Sequence, residues 1–78
     1  MATKNFSNCE GLSMALNLLI ELRLERDKIL ERIDNVKMGT KAFTKIEAIL
    51  KELDKAIENA KQAKEHFEAA LREEAINN

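Results

Sequence analysis

The sequence predicts an all-α fold, an antiparallel hairpin of two long helices that occupies residues 1–78 as one domain. Three observations support this fold class. The 78 residues include no proline and only two glycines, apolar residues recur at heptad spacing in two segments, and Gly39 separates those segments. Three aromatic residues in the whole chain are too few for a typical sheet protein. A chain of this length buries only about 60% of its unfolded surface, so its own core is expected to be marginal.

The first helix is predicted over about residues 8–38. Ser7 and Glu10 have the spacing of a capping box, which places the start at Asn8 or, because glycine weakens a helical turn, only after Gly11. Seven of the eight heptad positions that follow are apolar: Leu12, Ala15, Leu19, Leu22, Arg26, Ile29, Ile33 and Val36. Arg26 is the exception, and we expect it either to extend towards solvent or to pair with an acidic residue across the seam.

A turn at 39–40 and a second helix over about 40–75 complete the hairpin. Gly39 suits the position after a helix, and Thr40 or Thr44 can cap the next one. All nine positions of the second predicted seam are apolar: Ala42, Ile46, Ile49, Leu53, Ala56, Ala60, Ala63, Phe67 and Ala70. Phe43, Leu50, Ile57 and Leu71 widen this stripe.

The first helix carries more apolar surface than one partner helix can cover. Met14, Leu16 and Ile20 lie off the heptad positions, so residues 12–24 are apolar around most of the helix. Such a surface is typical of an association site. The predicted partner-binding residues are the apolar anchors Leu12, Met14, Leu16, Leu18, Leu19, Ile20, Leu22 and Leu24, with Arg23 and Arg26 setting the register.

This surface predicts a small non-enzymatic protein-interaction module that presents an apolar helical face. An adaptor, a co-chaperone and an inhibitor-type regulator all fit that description. The partner is either a different protein or a second copy, and a homodimer that forms a four-helix bundle is the simplest closed arrangement.

Composition excludes several other classes. A net charge of −1 provides no overall attraction for nucleic acid, and one cysteine cannot form an intrachain disulfide. No apolar run approaches the ~20 residues of a membrane span, and the first residues lack the apolar region of a signal peptide. We therefore expect a soluble cytoplasmic protein without membrane insertion and without a small-molecule substrate.

Candidate reactive residues are few. His66 is the only histidine, and Ala63 stands where a Glu-x-x-His metal motif would need its glutamate. Cys9 near a helix start has no second cysteine and no nearby histidine. No glycine-rich phosphate loop is present. We expect no metal, no cofactor and no catalytic residues.

A lysine ridge offers an alternative function. Five lysines gather towards the turn end, namely Lys37, Lys41, Lys45, Lys51 and Lys55. A dimer would double them, as in hairpin dimers that bind RNA or DNA. Three acidic residues lie among them, and Phe43 is the only aromatic residue near them for base stacking, so nucleic acid is the less favoured partner.

A minor alternative rests on short motifs. Ile20-Glu21-Leu22-Arg23, then Gly39, then Glu52-Leu53-Asp54 follow one another in that order. This order resembles the small helical-hairpin aspartyl-phosphate phosphatases of the sporulation phosphorelay, although Leu50-Lys51 replaces the Ser-Gln pair of that family. The resemblance implies a phosphatase-like regulator in which Asp54 is needed for turnover. The general shape is also similar to that of small hairpin co-chaperones of secretion systems.

Overall fold

The computed structural model describes residues 7–77 and confirms the predicted helical hairpin. Helix α1 spans Asn8–Ile33 and helix α2 spans Lys41–Asn77, and the described residues contain no strand. The helices run antiparallel, since Asn8 at the start of α1 donates a 2.6 Å hydrogen bond to Glu74 near the end of α2. Assembly of two hairpins into a bundle stays a prediction.

The start of α1 follows the predicted cap. The Ser7 hydroxyl accepts a 3.1 Å hydrogen bond from the amide of Glu10, and the Gly11 amide donates to the Ser7 carbonyl at 2.9 Å. These bonds satisfy amides that lack partners within the first helical turn. The helix therefore begins at Asn8, the earlier of the two predicted starts, and continues through Gly11.

Helix α1 ends at Ile33, earlier than the predicted end at 38. The amides of Asn35 and Val36 bond to carbonyls three residues back, at 3.1 and 3.2 Å, instead of four residues back as in an α-helix. The α-helical hydrogen-bond pattern therefore stops here. The Asn35 side chain also donates to the Glu31 carbonyl at 3.3 Å. Asp and Asn favour such local bonds over helix, so the heptad fit of Val36 was misleading and the predicted end was wrong.

The connection between the helices covers residues 34–40 and is longer than the predicted turn at 39–40. Gly39 has φ +83°, and the Thr40 amide donates to the Lys37 carbonyl at 3.4 Å, as in a turn that needs glycine at its third position. The Thr40 hydroxyl then accepts from the Phe43 amide at 3.2 Å. Thr40 is therefore the cap of α2, the first of the two caps that the sequence allowed.

The core between the two helices is thin. Among the described residues, only Gly11, Ala15, Leu19 and Ala60 are buried. The molecule measures 14 Å in its thinnest dimension, which is one layer of helices. Most residues that pack between α1 and α2 are only half-buried, because a second layer is needed to close a helical core.

The seam of α2 differs from the prediction near the turn. Ala42 and Ile49 are exposed there, whereas Phe43 and Leu50 are half-buried. Of the four seam positions predicted in the first half of α2, two therefore lie one residue later in the structure. Both sets alternate steps of three and four residues, so spacing alone did not decide between them.

Candidate functional site

The hairpin leaves five large apolar side chains of α1 in solvent, all of them among the predicted partner-binding residues. The exposed fractions are Met14 54%, Leu16 39%, Leu18 46%, Ile20 57% and Leu24 55%. Helix α2 does not cover this part of α1. These five residues form the candidate site.

Four other predicted binding residues are used inside the hairpin. Leu19 is only 4% exposed, and Leu12 and Leu22 are half-buried on the same side of α1. The Nε atom of Arg26 lies 2.8 Å from Oδ1 of Asp54 on α2. Arg26 thus pairs with an acidic residue across the seam, the second of the two roles expected for it.

On one face of the hairpin, Met14 and Leu18 border a shallow apolar groove of about 510 Å³ between the two helices. Small residues form its floor, since Gly11, Ala15 and Ala63 leave space between the helices. The lining residues, which we call the groove, are Gly11, Met14, Ala15, Asn17, Leu18, Glu21, Ala63 and Phe67.

Phe67 closes one end of the groove against the backbone of α1. A Cβ atom built on Gly11 would lie 2.5 Å from Cζ and 2.8 Å from Cδ1 of the Phe67 ring, well inside van der Waals contact. The ring therefore rests on the helix surface at a position that only glycine leaves open. Sequence reasoning treated Gly11 as a weak point of the helix and missed this contact; a glycine inside an otherwise strong helix was the available signal.

Leu16 and Ile20 lie on the opposite face of the hairpin. They border a smaller depression of about 180 Å³ together with Arg23, Lys61 and Lys64. Leu16 and Leu18 are separated by about 160° around the helix axis, since each residue turns an α-helix by about 100°. Leu16, Ile20 and Leu24 follow one another at four-residue spacing, and we call these three residues the outer stripe. The predicted single patch is therefore divided between two surfaces.

The residues of the alternative functions lie elsewhere. The five lysines of the ridge are exposed, and Nζ of Lys55 lies 3.5 Å from a carboxylate oxygen of Glu52, within the ridge itself. Asp54, which the phosphatase resemblance singles out, forms the ion pair with Arg26.

Cys9 is exposed in the first turn of α1, and the ring of exposed His66 meets that of Phe67 edge-on at a centroid distance of 5.8 Å. Within the described part of the chain, no group of three or more His, Cys, Asp or Glu residues is placed to hold a metal ion. Neither helix, over the residues described, is both long enough and apolar enough to cross a membrane.

No protein-family model, curated protein or solved structure matches this chain. The function is therefore inferred from the surface of the hairpin alone.

Proposed function

We propose that the protein is a non-enzymatic interaction module that binds an amphipathic helix of a partner protein through the exposed apolar residues of α1. The observation that carries the proposal is the exposure of five large apolar side chains between residues 14 and 24, each between 39% and 57%. Exposed apolar side chains grouped in this way on a small domain favour an association site.

Burial of the exposed apolar side chains supplies part of the free energy of binding. Complete burial of one large aliphatic side chain contributes about 1.5–3 kcal/mol. Because each of the five is about half exposed already, burial by a partner would add roughly half of that per residue. The three residues of the outer stripe together add about 2–4 kcal/mol before the cost of association, so specific binding also needs contacts from the charged rim and from the rest of the partner helix.

The neighbouring polar groups fit such a partner. Three cationic residues, Arg23, Lys61 and Lys64, and one acidic residue, Glu65, border the depression beside Leu16 and Ile20, so its rim carries an excess of positive charge. Acidic residues at the edge of a partner's apolar helix face would lie next to these cations. Helix-in-groove binding combines apolar anchors at three- and four-residue spacing with charges at the rim, and the outer stripe has this spacing.

A displayed library of amphipathic helical peptides, selected against the intact chain, tests the proposal. We expect selected peptides to share apolar residues at three- and four-residue spacing, and Ile20→Glu to weaken their binding at least tenfold. Gln62→Glu is the matched control, since it places the same charge at an exposed polar position of α2, about 160° around that helix from buried Ala60 and so away from α1. Circular dichroism of both variants verifies that the hairpin is intact.

Three results would contradict the proposal. One is a library that yields no peptide whose binding depends on Ile20. Another is salt-sensitive binding of RNA or DNA that is lost in a Lys41→Glu, Lys45→Glu double variant, which would support the lysine ridge instead. Turnover of an acyl phosphate on a response regulator, lost on Asp54→Ala, would likewise establish the phosphatase alternative.

A further inference from the structure

We infer that the groove face is the docking surface for a second copy of this chain, related by a two-fold axis parallel to the helices. This inference rests on the proposed function and assigns two of its five exposed apolar side chains to one partner. Met14 and Leu18 would be buried between the two copies, whereas the outer stripe of Leu16, Ile20 and Leu24 would remain on the outside for another protein.

The sizes of the side chains on this face are complementary under that symmetry. On α1 the groove is edged by the large residues Met14 and Leu18, and on α2 by Ala63 at the same level. Ala56 and Ala70 lie seven residues before and after Ala63, so this edge of α2 is a row of small residues, and both alanines are half-buried. A rotation about the long axis lays α1 of each copy over α2 of the other, so large side chains meet small ones twice.

The groove face is large enough for a stable dimer. Helix α1 has 26 residues, so it is about 39 Å long at 1.5 Å per residue. Two adjacent helices are about 20 Å wide. The face therefore covers about 800 Å², which is the area that each partner buries in an interface of standard size.

Charges at the turn end also match. Lys28 lies two heptads after Met14, and Glu52 borders the apolar surface around Ile49. Each makes one exposed ion pair on its own helix, Lys28 with Glu25 at 3.4 Å and Glu52 with Lys55 at 3.5 Å, which a partner's charge would extend. The pair of Arg26 with Asp54 places Lys28 and Glu52 at the same level of the hairpin. The same rotation sets Lys28 of one copy opposite Glu52 of the other. A two-fold axis perpendicular to the helices through the middle of α1, which lets the two α1 helices overlap over their full length, would instead lay Leu18 between Glu21 and Glu25.

Sedimentation of the full-length chain over a range of concentrations tests the docking face. We expect the native chain to sediment as a dimer. Leu18→Glu and Met14→Glu should sediment as monomers, and Ile20→Glu should sediment as a dimer. The last variant is a matched control because it introduces the same charge on the opposite side of α1. A native chain that stays monomeric, or a dimer that Ile20→Glu dissociates and Leu18→Glu does not, would overturn the inference.

Cross-linking tests the direction of the axis. In a Cys9→Ser background, an isotope-labelled Ala63→Cys chain is mixed with a Leu18→Cys chain and treated with a short bis-maleimide. We expect a mixed adduct identified by its mass, and none when Glu25→Cys replaces Ala63→Cys. The reverse pattern would show that the axis is perpendicular to the helices and would overturn the proposed arrangement.

The two proposals fail in different ways. A monomer that still binds helical peptides through Ile20 contradicts only the second copy in the groove. A dimer that binds no such peptide contradicts only the proposed function.

Discussion

Replacing Gly11 by alanine should not give the stabilisation that helix propensity predicts. In an exposed helix interior, alanine is about 1 kcal/mol more favourable than glycine. Here the new Cβ would lie 2.5–2.8 Å from atoms of the Phe67 ring. Overpacking of this kind costs about 1–3 kcal/mol, so we expect Gly11→Ala to leave the free energy of unfolding unchanged or lower by up to about 2 kcal/mol.

The companion variant Phe67→Leu isolates the cause. Leucine does not extend as far as the phenylalanine ring, so Gly11→Ala introduced into that background should raise stability by about 1 kcal/mol. Urea unfolding followed by circular dichroism at one fixed protein concentration measures all four chains, and the double-mutant cycle gives the coupling energy directly. If Gly11→Ala stabilises the native chain as much as the Phe67→Leu chain, the proposed ring contact is wrong.

Three further predictions concern the hairpin itself. Leu19→Ala should cost about 2–5 kcal/mol because the side chain is 4% exposed, while Leu24→Ala at 55% exposure should cost much less, as thermal unfolding will measure. Arg26→Ala and Asp54→Ala should each change the free energy of unfolding by less than about 1 kcal/mol, because both side chains are 41–57% exposed and solvent screens the ion pair. A coupling energy well above that value in a double-mutant cycle would contradict this. Gly39→Ala should cost about 1–2 kcal/mol because of its φ of +83° alone, since no atom lies within 4 Å of the new Cβ. Asparagine tolerates this conformation better, so Gly39→Asn should cost less in the same urea titration.

The ends of the helices were predictable where a local side chain decides them. Ser7 and Thr40 each bond to an amide three residues ahead, and this cap depends only on nearby sequence. The end of α1 was not predictable from periodicity, because Val36 continues the heptad pattern while Asp34 and Asn35 favour a turn. Here the local preference prevails, because the residues of the connection other than Val36 are exposed and would gain no packing from a longer helix.

The candidate site was predictable as a list of residues but not as a surface. The apolar excess around residues 14–24 was evident from the sequence, and five of those side chains are exposed. Which of them share a face depended on where α2 lies. The position of α2 buried Leu19, assigned Leu18 to the groove and left Ile20 on the opposite side.

By itself, the sequence determined that this protein is a hairpin of two helices with more apolar surface than two helices can bury, because helical periodicity and caps are local properties of the chain. Only the tertiary structure decided how that surface is divided and why Gly11 stands within α1. Both depend on contacts between residues more than fifty positions apart along the chain, such as Gly11 with Phe67, which no local pattern encodes.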